Sequence, residues 1–329
     1  SKHLNMNGFM MVEPSDVPPE TSHLDMLFSS IALCDKPFMG SPLSREAARD
    51  CVEMAAIVWG GRDKLQEVGP VTVSLINSLS PLQFSDEMAG SLIELARGNQ
   101  ACVIASLIMA GSSGPVTLAG VLALQTAEIL AGITLAQLVN PGVPVIYGST
   151  SSAMDMKTGG LAIGAPELSM VVSATAQMAR YYRLPCRCGG GLTDAHEADG
   201  LAGVESALAL STAIRNGVNF ILHTAGILGS YIAMSYEKFL LDEELAGLIQ
   251  KMLSPIEITP DSIDVEMIKN VGIGGQYLTQ PKTFQLCRTE FFMTDMMNRQ
   301  NHTGWAAGGA KRIDQVAADR LAQRLASYE

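Results

Sequence analysis

The sequence predicts an α/β protein built on a parallel sheet, of the (β/α)8 TIM-type barrel class. Three observations predict it. Helical patterns alternate with short apolar runs four times in succession, the rhythm of a parallel sheet covered by helices. The apolar runs are nearly continuous, as expected of strands buried on both faces. Polar residues collect just after those runs, at Asn77-Ser78, Ser112-Ser113, Ser149 to Ser152, Thr193-Asp194 and His223-Thr224, and barrels gather their function at strand C-termini. No G-x-G-x-x-G follows a first strand, which disfavours the dinucleotide-binding wound sheet.

The elements follow in order. Leu4–Val12 has a strand-like pattern, and Val71–Asn77 (VTVSLIN) is a clearer strand. Asp86–Arg97 is helical and leads into the strand Ala101–Met109 (ACVIASLIM). Val116–Val139 is helical and stops at Asn140-Pro141-Gly142, before the strand Val143–Gly148. Pro166–Tyr182 is the next helix and Pro185–Gly189 the next strand. Leu201–Asn216 is helical, Gly217 is placed for a left-handed C-terminal cap, and Val218–His223 (VNFILH) follows. That makes about six strands where a barrel needs eight, so an N-terminal portion is expected to be missing from this chain. Residues 1–329 are read as a single barrel domain, with its strands within 1–223 and a helical, loop-rich part over 240–329.

Of the 329 residues, 47% are apolar and 17% charged, enough for a large core. The net charge is −11 and no Lys/Arg cluster is visible, which argues against a nucleic-acid partner. Six cysteines in a chain this long make no disulfide framework, so reduced thiols and a cytoplasmic location are expected. The apolar stretch 119–139 is interrupted by Gln125 and Glu128, which suits a buried helix rather than a membrane span. No signal peptide is visible.

Residues 186–200 read CRCGGGLTDAHEADG. Cys186 and Cys188, two apart on a strand, share a face, and with His196 or His223 could ligate zinc. Asp194-Ala195-His196-Glu197-Ala198-Asp199-Gly200 approaches a corrinoid-binding Asp-x-His-x-x-Gly pattern, with its Gly one position late. The plainer reading is a pocket-lining loop after a strand. Gly189, Gly190 and Gly191 give it conformational freedom, Asp194 faces a ligand, and Glu197 and Asp199 favour the helix start.

The segments PVIYGSTSSAMDMKTGGLAIGAPEL, CRCGGGLTDAHEADGLAGVESALAL, GVNFILHTAG, YEKFLLDEEL and NVGIGGQYL resemble the trimethylamine:corrinoid methyltransferase family. Within it the chain is similar to the branch without pyrrolysine, whose known members demethylate quaternary amines such as glycine betaine. Ordinary residues occupy 186–200, which counts against trimethylamine as substrate. The resemblance implies a barrel that passes a methyl group to Co(I) of a corrinoid (cobalamin) carried by a separate protein, with no metal held by this chain. A homo-oligomer without membrane or nucleic-acid partners is expected. His223 and Asp194 are the catalytic candidates, and His223 is expected to orient substrate or shape the cobalt approach rather than move protons. Tyr147 could face the cation, and Asn77, Ser149 and Thr150 could hold the substrate's other end. Gln276 and Tyr277 lie on a second Gly-rich loop, where family members often have His at the position of Gln276. Two other classes stay open: a zinc-dependent barrel methyltransferase for thiols or alcohols, and a non-catalytic quaternary-amine-binding protein.

Overall fold

A computed structural model describes Met6, Gly8 and residues 13–327. The strand expected at 4–12 lies, apart from Met6 and Gly8, outside the described residues. The chain divides into two compact units, Ser1–Glu243 and Glu244–Glu329.

The first unit is organised by a sheet of six parallel strands. These are β1 (Met39–Gly40), β2 (Val73–Asn77), β3 (Ala101–Ser106), β5 (Val145–Ser149), β8 (Cys186–Gly189) and β9 (Phe220–Leu222). Their spatial order is their chain order, so the sheet winds in one direction without the reversal that marks a doubly wound fold. It is a half-barrel. Short strands decorate its C-terminal end: β4 (Met109–Ala110), β6 (Ser152–Met154) and β7 (Leu161–Ala162) form one small sheet, and β10 (Ile227–Leu228) pairs with β11 (Ala233–Met234).

Helices α1 (Ser22–Leu33), α2 (Arg45–Val58), α3 (Arg62–Val68), α4 (Asp86–Arg97), α5 (Leu118–Val139), α6 (Pro166–Tyr181) and α7 (Gly200–Arg215) precede or connect the strands. Their starts follow local chemistry. Ser44, Ser85, Thr117 and Asp199 each accept a backbone N–H of the first turn of α2, α4, α5 and α7. Gly217 takes φ +68°, the left-handed cap expected after α7.

Register and burial sort the strand side chains into two faces. Ile76, Ile104, Tyr147 and Cys186 align across neighbouring strands and join the main core with Leu92, Leu95, Ile129, Val172 and Ala176 of the covering helices. The alternate row, Asn77, Ala105, Gly148, Arg187 and Phe220, turns to the opposite face. Helix α5 is long and apolar enough to cross a membrane by length and composition. Here it packs on β3 and β5 between α4 and α6. Its two polar interruptions are buried and bonded: Gln125 accepts from Ser149 Oγ at 2.7 Å, and Glu128 accepts from Ser106 Oγ at 2.6 Å.

Helix α8 (Tyr236–Leu253) runs across the division between the units. The second unit is otherwise helical, with α9 (Pro260–Ile263), α10 (Val265–Val271), α11 (Pro281–Glu290), α12 (His302–Ala307) and α13 (Ile313–Ala326). Within it, the Glu244 carboxylate accepts backbone N–H groups of Asp295, Met296 and Met297, which fixes the loop before α12.

Candidate active site

At the C-terminal end of the half-barrel, three loops are tied together by two carboxylates. Glu205 of α7 accepts from Thr193 Oγ1 at 2.6 Å and from the Asp194 N–H at 2.8 Å. Asp194 accepts from the N–H groups of Ile163 and Gly164 at 3.0 and 2.9 Å, and from Ser230 Oγ at 2.5 Å. Asp194 therefore joins the loop after β8 to the segment after β7 and to the loop after β10. Every recorded partner donates to it, as suits a carboxylate, and its place in the loop framework is accounted for by them.

The glycine run permits close approach of the next loop. A Cβ on Gly191 would sit 2.1 Å from the Thr224 carbonyl oxygen, and one on Gly190 would sit 2.6 Å from Ile221 Cγ2. Gly189 would meet Leu192 Cδ1 at 2.4 Å. The Gly191 carbonyl in turn accepts from Lys238 Nζ of α8 at 3.0 Å. Lys238 is ion-paired with Asp242, whose carboxyl burial pushes up to about 6 and which accepts the Gly226 N–H at 2.8 Å.

His223 ends this arrangement. It follows β9 with φ +60°, and Ser230 and Tyr231 also lie in the left-handed region at +53° and +78°. Non-glycine residues adopt that region rarely and at a cost, and they cluster where a site dictates the backbone. The His223 ring meets the Tyr231 ring edge-on at 5.1 Å, and its Nδ1 lies 3.4 Å from Arg187 Nη2. Burial, aided by the Arg187 charge, pushes its pKa down to about 3, so the imidazole is neutral at ordinary pH.

Sequence reasoning passed over Arg187, which is 1% exposed in the middle of β8. Its signal was a charge inside a strand whose neighbours are buried cysteines, and a charge there needs a reason. Tyr231 and Glu205 were also passed over.

The other expected site residues fall in several places. Tyr147 is fully buried, its hydroxyl 2.7 Å from Thr126 Oγ1 of α5 and its ring stacked on Tyr182. Its contacts are thus on the helix side of the sheet, whereas those of His223 are Arg187 and Tyr231. Ser149 is buried between Gln125 and Ser151. Thr150 is buried close to the Tyr231 hydroxyl. Asn77 is exposed at the end of β2, in the same cross-strand row as Arg187. Gln276 and Tyr277 are exposed between α10 and α11 of the second unit.

Cys186 and Cys188 turn their thiols to the helix-side core, 3.7 Å apart. The hydrogen bond shared with Cys186 and burial push the Cys188 thiol well up, while that same bond, against burial, lowers Cys186, so the pair behaves as one thiol hydrogen-bonded to its neighbour. His196 is exposed on the loop. Among the described residues no three His, Cys, Asp or Glu side chains converge as a metal site would require.

Known proteins match this chain along its length. A family model described as trimethylamine methyltransferase (MTTB) matches residues 1–329. The glycine betaine methyltransferase of Desulfitobacterium hafniense (strain Y51) is 48% identical over 328 residues, covering 100% of this chain and 68% of that protein. The proline betaine:corrinoid methyltransferase of Eubacterium limosum is 39% identical over 270 residues, covering 79% of this chain and 54% of that protein. The trimethylamine methyltransferase MttB of Desulfitobacterium hafniense (strain DSM 10664 / DCB-2) is 33% identical over 320 residues, covering 96% and 63%. The chain thus spans between about half and two thirds of the length of these relatives.

Proposed function

The chain belongs to the trimethylamine methyltransferase family, and from that premise we propose that it moves a methyl group from a betaine-like quaternary amine to Co(I) of a corrinoid carried by a separate protein. The observation that carries the reading is the 48% identity to a glycine betaine methyltransferase, which extends over 100% of this chain. The one-way parallel sheet supports a (β/α)8 barrel over 1–329, with the site at the strand C-termini.

The chemistry suits the site. A quaternary nitrogen is already cationic, so its N–CH3 bond needs no proton and no Lewis acid to break. The Co(I) electron pair forms the new bond to carbon, the old bonding pair stays on nitrogen, and a neutral tertiary amine leaves. The protein's task is then to hold the substrate in line with the acceptor, which supplies rate through proximity. A rigid loop frame does this. Asp194 and Glu205 lock the loops, and Gly189 to Gly191 let the loops after β8 and β9 close on each other. His223 shapes the site as an uncharged ring, so it does not repel the substrate cation as an imidazolium would.

All six cysteines are unpaired, which supports a reducing, cytoplasmic setting. The test mixes full-length protein, a Co(I) corrinoid protein, and glycine betaine, proline betaine, carnitine or choline, and follows the cobalt spectrum. Methylation with one or more supports the proposal, and none with any of the four overturns it.

A further inference from the structure

Arg187 is a buried cation whose counter-charge is not among the described residues. Its strand neighbours Cys186 and Cys188 enter the helix-side core, so alternation puts Arg187 on the opposite face. Along that row its neighbours on β5 and β3 are Gly148 and Ala105, the two smallest side chains available. No side chain on that side can reach the guanidinium as a counter-charge, and a Cβ on Gly148 would press on Val103 Cγ1 at 2.9 Å and Ala105 Cβ at 3.0 Å.

The polar contact recorded for the guanidinium is the long one to His223 Nδ1, 3.4 Å from Nη2. Nε is buried and has no hydrogen-bond partner. The carboxylates of this end of the sheet are already engaged: Asp194 by two N–H groups and Ser230, Glu205 by Thr193 and the Asp194 N–H, and Asp242 by Lys238 and the Gly226 N–H. A desolvated charge without a partner is costly and is retained where a ligand completes it.

A second donor stands beside it. The Tyr231 hydroxyl is also buried and lies close to Thr150 without a hydrogen bond of ordinary geometry, on a backbone held at φ +78°. Its ring lies against His223, which contacts Arg187, so the three side chains form one cluster. The cluster offers a forked cation and a phenol O–H, and it holds no anion of its own. A guanidinium fork matches a carboxylate, which can accept two parallel N–H bonds.

We propose that Arg187, with the Tyr231 hydroxyl, binds the carboxylate of a zwitterionic quaternary amine and so selects betaines over quaternary ammonium alcohols. The inference rests on reading the site as that of a quaternary-amine methyltransferase. It also sets the direction of binding. The guanidinium attracts the carboxylate and repels the ammonium, so the substrate's methyl groups lie furthest from Arg187.

Calorimetric titration of the full-length protein with glycine betaine and with choline tests this, since the two share a trimethylammonium head and differ in the tail. Wild-type protein is expected to bind glycine betaine at least about tenfold more tightly than choline. Arg187→Lys and Arg187→Gln should each lose roughly ten- to a hundredfold in betaine affinity, the scale of a charged hydrogen bond, with choline binding unchanged. Tyr231→Phe should lose less. Folding of each variant is checked by circular dichroism, and the wild-type preference decides the matter even if Arg187→Gln does not fold. Equal wild-type affinity for both ligands overturns the proposal, as does a folded Arg187 variant that keeps wild-type betaine affinity. Methyl transfer from choline but not from betaine would refute the carboxylate site and leave the methyltransferase reading standing. Arg187-dependent betaine binding without any methyl transfer would do the reverse.

Discussion

The neutral state of His223 makes stability depend on pH in a calculable way. The ring titrates near 6.5 in an unfolded chain and at about 3 in the folded protein, depressed by burial and by Arg187. Between those values the unfolded state binds one proton more, so stability falls as pH falls. The contribution is fully present above about 6.5 and is lost progressively toward 3. From pH 7 to pH 4.5 the loss attributable to His223 is about 2.5 kcal/mol, at the limiting slope of about 1.4 kcal/mol per pH unit. Other groups titrate in the same range. Asp242, raised to about 6, acts in the opposite sense: its contribution is present below its unfolded value of 3.8 and lost as pH rises through 6. Comparing wild type with His223→Gln removes these shared terms. Urea unfolding followed by circular dichroism at pH 7, 6, 5 and 4.5 gives both curves. The wild-type advantage should shrink, or reverse, by about 2.5 kcal/mol over that span. Parallel curves would refute the reasoning, because they would mean that His223 charges as freely when folded as when unfolded.

Two further outcomes follow from the site's frame. Glu128→Ala should destabilise the protein by about 3–5 kcal/mol in urea unfolding, because it strips the acceptor from Ser78, Ser80, Ser106 and the Leu82 N–H at once. Burial raises the Glu128 pKa, but those four donors outweigh it and hold the group below its usual value, so its contribution is lost only as pH falls through that depressed value. Gly191→Ala should cost about 1–3 kcal/mol and weaken betaine binding in calorimetry, since the new methyl would push on the Thr224 carbonyl next to His223.

Much of this fold was legible because its signals are local. Asp86–Arg97 was read with the boundaries the structure gives, since Ser85 caps it, acids open it and Arg97 closes it. The central strands are apolar runs bounded by Gly and Pro, and they fall within a few residues of their expected places. The region before Val71 was harder. Helix α2 buries a face of Ala47, Ala48, Cys51, Val52, Ala55 and Ala56, which offers little hydropathy contrast, and β1 is two residues long, too short for any periodicity. At the site, loops after strands were visible as Gly and polar clusters, but their partners were not. Asp194 is held by backbone N–H groups of Ile163 and Gly164, which leave no side-chain signature. Arg187 was hidden because Cys-Arg-Cys reads as ordinary alternation, and only the register shows its strand flanked by another on each edge. Tyr147 illustrates the converse: a strand-end tyrosine invites a ligand role, and its parity on β5 places it beside Thr126 and Tyr182.

The central claim is methyl transfer from a quaternary amine, and the most direct measurement follows the methyl group itself. Glycine betaine with deuterated N-methyl groups would be incubated with the full-length protein and a reduced corrinoid protein under strict exclusion of oxygen, and both products analysed by mass spectrometry. The account predicts one deuterated methyl group on the cobalt cofactor for each molecule of tertiary amine released, with the other two methyl groups still on its nitrogen. Unlabelled cobalt, or no tertiary amine formed, with this substrate and with N-methyl-deuterated proline betaine, carnitine and choline alike, while the same corrinoid protein accepts methyl groups from another donor, would contradict it.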